Sequence, residues 1–191
     1  MPDNATSPIA LGWPAAQFDL PGIDGRRHTP ASARGPNGLV VMFICNHCPY
    51  VKAAIGRIVV DTDALAKLGI GSIAIMSNDA TAYPADSFDN MTAFAAAHGL
   101  RFPYVVDESQ DVARAYDAVC TPDFFGFDRD LTLAYHGRLD SGGRNTDPAA
   151  KRELYEAMAQ VARTGRAPVD QHASIGCGIK WRKPPSSKEW A

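Results

Sequence analysis

Two patterns of apolar residues recur along the chain, and together they predict an α/β fold. The uninterrupted apolar run over residues 39–44 is typical of a strand that is buried on both faces of a parallel sheet. Apolar residues at helical spacing follow over 50–68, and Gly69 is suited to end that helix. A second apolar run, Ile70–Met76, completes a strand, helix, strand unit, for which a right-handed crossover is expected.

Further helices and strands are predicted on either side of this unit. Short apolar pairs and a turn signal at Asp24-Gly25 indicate an N-terminal hairpin within 12–26. The other predicted helices span Phe88–His98, 109–119 with Ser109 as the N-cap, and 147 to about 163, and the other predicted strands span 102–106, 124–127 and 131–139. The last two strands form an antiparallel pair because their connection is tight.

These boundaries divide the chain into three parts. Residues 1–11 are an N-terminal tail, residues 12–165 form one domain, and residues 166–191 are a mostly irregular C-terminal extension that carries Cys177. A total of 191 residues suits one domain with extensions better than two domains.

Composition and charge exclude several classes of protein. The chain has 19 Lys and Arg against 21 Asp and Glu, a net charge of −2, so a partner that is nucleic acid or an anionic membrane is not expected. No apolar run approaches the roughly 20 residues of a membrane span, and the N-terminus lacks a secretory signal pattern. A cytosolic location is therefore expected. Four cysteines are too few for a disulfide scaffold, and cytosolic thiols are normally kept reduced.

The motif Cys45-Asn46-His47-Cys48 stands where the strand over 39–44 meets the following helix. A thiolate at a helix N-terminus is stabilised by unpaired backbone N–H groups and the helix dipole, which lowers its pKa. A second cysteine one helical turn on can attack the mixed disulfide that the first one forms. A protonated His47 stabilises the thiolate and makes the couple more oxidising. At such a junction the pattern favours redox catalysis over two space-filling buried thiols.

The pair Thr121-Pro122 lies between a predicted helix and a predicted strand. A turn that simply stops the helix is the ordinary interpretation of an isolated Thr-Pro pair. Together with the upstream cysteine motif, a second interpretation gains weight, in which Pro122 is cis and the backbone of Thr121 faces a substrate.

The order of hairpin, strand, cysteine motif, helix and Thr-Pro pair resembles the thioredoxin-fold superfamily over 12–163. The resemblance implies a cis Pro122 that faces the motif. The long separation between Cys48 and Pro122 implies an inserted strand and helix, as in the peroxiredoxin-like and TlpA/ResA-like branches. The opening segment 12–20 resembles the alkyl hydroperoxide reductase/thiol-specific antioxidant family. Residues 45–51 together with 174–181 resemble a bacterial peroxiredoxin-like group of thioredoxin-family proteins.

The motif departs from both branches, and each branch assigns a different nucleophile. Thioredoxins have a Trp before the first cysteine and a buried acid in the preceding strand, whereas here Ile44 precedes Cys45 and residues 39–44 contain no acid. Peroxiredoxins have Thr or Ser three positions before a peroxidatic cysteine that is followed by Pro. Cys48 matches that cysteine, and Cys45 replaces the hydroxyl residue. The arginine that peroxiredoxins carry near the strand after Pro122 is missing from that stretch.

Two cysteines outside the motif each have more than one interpretation. Cys120 is a resolving thiol, a third metal ligand or a buried small side chain. Cys177 lies between Gly176 and Gly178, which permit close backbone approach. It is either an ordinary tail residue or a thiol that folds back as a resolving or regulatory partner, or that pairs with Cys120. Four cysteines allow three complete pairings, and all three stay open.

Three functions are compatible with these residues. The leading one is a thiol–disulfide oxidoreductase in which Cys45 attacks a substrate disulfide, Cys48 resolves the intermediate, and the Thr121-Pro122 backbone holds an extended substrate. The second is a thiol peroxidase with antioxidant activity, in which one motif cysteine becomes a sulfenic acid and then a disulfide with its neighbour. The third is a Cu(I)- or Zn-binding module that adds His47 or Cys120. It ranks lowest because thiolate sites need three or four ligands.

The leading function sets the expected partners. They are a protein or small-molecule disulfide, or a peroxide, and a thiol reductant such as thioredoxin or glutathione. No resident metal or other cofactor is expected.

Overall fold

A five-stranded mixed sheet forms the centre of the computed structural model, which describes residues 3–5, 11–145 and 147–182. Two hydrophobic clusters flank this sheet. In chain order the strands are β1 (Asp3–Ala5), β2 (Leu20–Pro21), β3 (Arg27–His28), β4 (Gly38–Phe43), β5 (Ile70–Met76), β6 (Tyr104–Val106), β7 (Cys120–Thr121), β8 (Asp123–Phe127), β9 (Leu133–Gly137) and β10 (Ile175–Gly178). The helices are α1 (Pro30–Ala33), α2 (Pro49–Ala66), α3 (Phe88–His98), α4 (Asp111–Ala115) and α5 (Glu153–Thr164), and a 3-10 turn spans Pro84–Asp86.

Strand β4 lies at the middle of the central sheet and leads directly into the cysteine motif. It pairs in parallel with β5 and antiparallel with β8, so the strand order is β6, β5, β4, β8, β9. All six of its residues are buried, which explains an unbroken apolar run without alternation. Val40 and Met42 pack in the same cluster as Cys45 and Cys48, whereas Phe43 packs in the cluster on the other face.

Most elements lie where the apolar pattern predicts them. β5 and α3 have the predicted bounds, and β4, α2, β6 and β8 differ from prediction by at most two residues at either end. β2 and β3 pair antiparallel, which confirms the N-terminal hairpin. The mixed α/β class is likewise confirmed.

Helix α4 is shorter than the helix predicted over 109–119. Gln110 and Asp117, which flank it, have positive φ angles of 66° and 52°, a conformation that stops an α-helix. Gln110 occupies the N-cap position, so the assignment of Ser109 as N-cap is wrong. The Ser109 hydroxyl instead accepts a hydrogen bond from the Asp111 N–H at 3.2 Å.

Helix α5 begins at Glu153, five residues after Pro148, where the Asp-Pro pair predicts the first helical residue. The Asp147 carboxylate accepts a hydrogen bond from the Ala149 N–H at 2.8 Å, as a cap does. The backbone of Lys151, however, is bonded to Ser141. Its N–H donates to Ser141 Oγ at 2.9 Å, and its carbonyl accepts from the Ser141 N–H at 3.1 Å. These two bonds take the place of the backbone hydrogen bonds that Lys151 would make in a helix. Turns therefore precede α5 along the chain.

The C-terminal extension supplies a strand, although mostly irregular structure was expected there. β10 lies between β1 and β7 in a second, antiparallel sheet of three strands. Of the two predicted terminal segments, residues 1–2, 6–10 and 183–191 lie outside the described residues. None of the described helices combines the length and apolarity needed to cross a membrane.

Candidate functional site

Cys45 lies in the loop between β4 and α2, and Cys48 lies directly before the first residue of that helix. Cys48 is the N-cap of α2, with φ −63° and ψ 124°, and Pro49 is the first helical residue, where its missing N–H costs nothing. Cys45 is 1% exposed and Cys48 is fully buried. The chain therefore holds both sulfur atoms inside the protein, beside the unpaired N–H groups of a helix N-terminus.

Thr121 contacts both cysteines from the opposite side of the site. Its Oγ1 lies 3.3 Å from Cys45 Sγ, and its carbonyl oxygen lies 3.1 Å from Cys48 Sγ, from which it accepts a hydrogen bond when that sulfur carries a proton. The peptide bond between Thr121 and Pro122 is cis, the state that the family resemblance implies. The structure thus brings the cysteine motif and the Thr-Pro pair together across more than 70 residues of chain.

The surroundings of the two thiols shift their pKa values in opposite directions. A hydrogen bond from the Cys45 thiol is the largest of the effects that lower the pKa of Cys48 to about 4, and the Val51 backbone N–H at the helix N-terminus adds to it. That same hydrogen bond raises the pKa of Cys45, and burial and the charge of Asp86 raise it further. The helix N-terminus therefore stabilises the thiolate on Cys48, with Cys45 as its proton-bearing donor.

A pH titration of the reduced protein tests this division of roles. Because the pKa of Cys48 is lowered from 9.0 to about 4, we expect one thiolate to persist as the pH falls from 9 and to disappear only near 4. The ultraviolet absorbance of the thiolate measures the fraction of ionised Cys48 at each pH. In Cys45→Ala the main hydrogen-bond donor is gone, so the midpoint is expected to rise. A wild-type protein with no thiolate below its ordinary pKa would contradict the assignment.

A buried carboxylate fixes the shape of the motif loop. Asp86, fully buried in the 3-10 turn, accepts a hydrogen bond from the Asn46 N–H at 2.9 Å and one from Asn78 Nδ2 at 2.8 Å. His47 Nδ1 lies 2.7 Å from the same carboxylate, and the His47 ring stacks on Tyr83 at 5.7 Å between centroids. The imidazole is therefore engaged by Asp86. Sequence reasoning missed Asp86 because the Tyr-Pro signal around it predicts only a loop.

Three side chains of this region offer ligand atoms within 4.8 Å of one another, namely Cys45, His47 and Asp86. Two of them match the metal hypothesis, and Asp86 is an addition. Both oxygens of Asp86 already accept hydrogen bonds from groups of the motif loop or lie against His47. Hydrogen bonds within the chain therefore explain why these three side chains lie close together, and their arrangement does not indicate a metal site.

Cys177 reaches the motif, whereas Cys120 does not. Cys177 is paired directly with Thr121 across β10 and β7, and directly opposed side chains lie on the same face of a sheet. A hydrogen bond from Cys177 also lowers the pKa of Cys48. Cys177 is 4% exposed.

Cys120 precedes Thr121 on β7, so its side chain is directed to the other face. There its thiol donates to the Pro122 carbonyl at 3.8 Å, and burial raises its pKa. Of the interpretations left open for Cys120, a buried small side chain fits these contacts.

The edge of β7 pairs with β10. The sequence analysis assigned the Thr121-Pro122 backbone to an extended substrate, and at Thr121 one edge of that backbone is occupied by β10. The space next to Pro122 is open instead: a cleft of about 320 Å³ lies there, with a lining that includes Tyr50, Ala54, Arg57, Phe124, Leu139 and Arg144.

A second buried acid lies next to the site, at the start of the strand that the sequence predicts over 124–127. Asp123 is fully buried at the start of β8, opposite Phe43, and its Oδ1 lies 3.1 Å from His136 Nε2. Burial raises the pKa of Asp123, and hydrogen bonds from His136 and Ser174 oppose that effect. Because Ser174 immediately precedes β10, this acid ties the C-terminal strand to the central sheet.

Comparisons with known proteins agree with this geometry. Residues 11–136 match the model of the AhpC/TSA family. The chain is similar to an uncharacterized conserved protein from Geobacillus kaustophilus, with 41% identity, TM-score 0.91 and coverage of 96% of this chain and 98% of that one. It is also similar to a hypothetical protein from Sinorhizobium meliloti, with 38% identity, TM-score 0.89 and coverage of 94% and 99%.

A more distant solved structure shows the shared fold. It is the thioredoxin domain of a thiol-disulfide oxidoreductase from Bacteroides vulgatus, with 14% identity, TM-score 0.57 and coverage of 68% of this chain and 89% of its own. None of the curated proteins matches the chain. Because the family model spans well over half of the sequence and the fold agrees, the chain belongs to the AhpC/TSA family, a thioredoxin-fold family of thiol redox proteins.

Proposed function

We propose that the protein is a thiol–disulfide oxidoreductase whose redox centre is the pair Cys45 and Cys48. The observation that carries the proposal is the placement of both thiols against Thr121, with the lowered pKa on Cys48 and a protonated neighbour three positions before it. A thiolate and a second thiol at this spacing are what reversible disulfide exchange requires.

The reaction begins at Cys48. Its thiolate attacks one sulfur of a substrate disulfide, a Cys48–substrate bond forms, and the first substrate thiolate leaves and takes up a proton. Cys48 then no longer carries the charge that keeps Cys45 protonated, so the Cys45 thiol gives up its proton and attacks the Cys48 sulfur. A Cys45–Cys48 disulfide forms, and the second substrate thiolate leaves and is protonated.

This sequence of steps exchanges the roles that the motif alone suggested. Attack by Cys45 and resolution by Cys48 follow the thioredoxin pattern, but the raised pKa of Cys45 favours the opposite order here. Thr121 keeps both sulfur atoms close in either order.

Substrate and reductant are proposed by chemical class. The cleft beside Pro122 is lined by apolar side chains, by arginines and by Asp140, which is ion-paired with Arg57, and this mixed lining suits a small-molecule disulfide or the side chains around a protein disulfide. A cytosolic thiol reductant, of the thioredoxin or glutathione kind, returns the Cys45–Cys48 disulfide to two thiols.

A second candidate is thiol peroxidase activity, which the lowered pKa of Cys48 and the family membership favour. Cys48 thiolate would attack a peroxide oxygen, giving a sulfenic acid and an alcohol or water. Cys45 would then condense with it to a disulfide and release water. Against this candidate, no arginine within residues 11–145 and 147–182 hydrogen-bonds to either motif cysteine.

Turnover of both substrates by one preparation separates the two candidates. We expect NADPH-coupled reduction of a disulfide substrate, with peroxide consumption no faster than that of free thiols. Cys120→Ser is the matched control, because that thiol is buried on the other face of β7, and it should retain wild-type turnover. Peroxide turnover without disulfide turnover would replace the proposal with the peroxidase.

A further inference from the structure

The C-terminal strand holds a third thiol against the redox pair. The register of β10 on β7 sets Cys177 opposite Thr121, on the face where Thr121 contacts Cys45. Cys177 also hydrogen-bonds to Cys48. One sulfur atom, that of Cys48, thus has two thiol neighbours, Cys45 and Cys177.

Glycine at position 176 permits this approach. A Cβ atom built on Gly176 would lie 2.1 Å from the Thr121 carbonyl oxygen, which no side chain can accommodate without moving the backbone. The strand comes this close only because position 176 has no side chain. The sequence predicts that the glycines beside Cys177 permit close backbone approach, and at Gly176 the structure requires it.

Further bonds hold the segment after Cys177 in place. The Ile179 N–H donates to the Val119 carbonyl at 3.0 Å, and the Lys180 N–H donates to Asn78 Oδ1 at 2.8 Å. Asn78 in turn donates to Asp86, the acid that fixes the motif loop. The C-terminal strand and the cysteine motif are thus joined through shared hydrogen bonds, and the position of Cys177 is part of the site's architecture.

We propose that Cys177 is a third redox thiol, which exchanges with the Cys45–Cys48 disulfide to form a Cys48–Cys177 disulfide. The inference rests on the proposed dithiol function for the supply of that first disulfide. The Cys177 thiol loses its proton and attacks the Cys48 sulfur, the Cys48–Cys177 bond forms, the Cys45–Cys48 bond breaks, and Cys45 leaves as a thiolate that takes up the proton. No electrons enter or leave, so the step needs no further oxidant.

The exchange has a consequence for the regeneration of the enzyme. A disulfide on Cys177 lies on the C-terminal strand rather than within the motif loop. The external thiol reductant then attacks the Cys48–Cys177 bond through Cys177, which is 4% exposed against 1% for Cys45, and Cys45 is already reduced. Loss of Cys177 is therefore expected to slow regeneration by the reductant several-fold while leaving the first disulfide intact.

Disulfide mapping on the full chain tests the inference. Reduced protein is oxidised with oxidised glutathione, trapped by acid and alkylation, digested and analysed by mass spectrometry. In wild type we expect both Cys45–Cys48 and Cys48–Cys177 pairs. In Cys45→Ser we expect Cys48–Cys177 as the main pair, in Cys177→Ser only Cys45–Cys48, and in Cys120→Ser the wild-type pattern.

Two further outcomes separate this inference from the proposed function. If Cys45–Cys48 forms but Cys48–Cys177 is missing from wild type and from Cys45→Ser, the third-thiol inference is overturned and the dithiol function stands. If Cys48–Cys177 forms while wild type never shows Cys45–Cys48, Cys177 is supported as a partner of Cys48 and the dithiol function fails. Gly176→Val keeps Cys177 but blocks the close approach, so it is expected to lose the Cys48–Cys177 pair alone.

Discussion

Replacement of Cys48 by serine is expected to reduce disulfide turnover by a factor of about 10³ or more, the scale seen when a catalytic nucleophile is removed. Cys48 is the thiol whose pKa is lowered to about 4, so it supplies the thiolate for the first attack. Cys45 does not take over, because burial and the nearby Asp86 charge still raise its pKa.

Cys45→Ser is the matched variant for this prediction. It retains the attacking thiolate but lacks the thiol that resolves within the motif, so it should accumulate a mixed disulfide between Cys48 and the substrate, or the Cys48–Cys177 pair. Intact-protein mass spectrometry after one equivalent of disulfide substrate distinguishes these products. A mixed disulfide trapped on Cys45 in the Cys48→Ser protein, with turnover preserved, would return the attacking role to Cys45.

Replacement of Asp86 by alanine is expected to lower the free energy of unfolding by about 2–6 kcal/mol, because each of two buried amide donors left without an acceptor costs about 1–3 kcal/mol. The fully buried carboxylate accepts hydrogen bonds from Asn46 and Asn78 and lies 2.7 Å from His47 Nδ1. Its loss leaves these buried donors without an acceptor. Out of a typical total of about 5–15 kcal/mol, this loss is large.

Urea denaturation of the reduced protein measures the effect of Asp86→Ala. Asp86→Asn keeps one acceptor oxygen, so its free energy of unfolding should fall by less than that of Asp86→Ala. Asp19→Ala is the control, because Asp19 and Arg27 are each more than half exposed and their ion pair is expected to contribute under about 1 kcal/mol. Equal losses for Asp86→Ala and Asp19→Ala would show that the motif loop does not depend on the buried acid.

The sequence predicted those parts of the fold that hydrophobic burial decides. The run over 39–44 is apolar because β4 is buried on both faces, and Ile70–Met76 and Phe88–His98 have clear patterns and clear ends. Helix α5 was placed too early because Asp-Pro is a local signal, and the bonds between Lys151 and Ser141 that displace it come from residues ten positions apart.

The sequence predicted only those features of the candidate site that depend on residues close together along the chain. Two cysteines two residues apart at a strand-to-helix junction indicate redox chemistry without any structure. Asp86 gives no such signal, because its contacts with Asn46 and Asn78 exist only in the folded chain. Cys177 faces the motif and Cys120 does not, because of the pairing register of β10 on β7. The hydrophobic pattern of a strand of two residues is too short to predict that register.

An equilibrium redox titration of the full chain shows whether Cys45 and Cys48 form a reversible disulfide. The protein is equilibrated in mixtures of reduced and oxidised glutathione, quenched with acid, and the Cys45–Cys48 disulfide is quantified by mass spectrometry. We expect a single two-electron transition in which this disulfide and its Cys48–Cys177 exchange product replace the thiols together. The transition should be lost in Cys48→Ser and kept in Cys120→Ser. A motif that stays as two thiols throughout, or that is only glutathionylated on one cysteine, would contradict it.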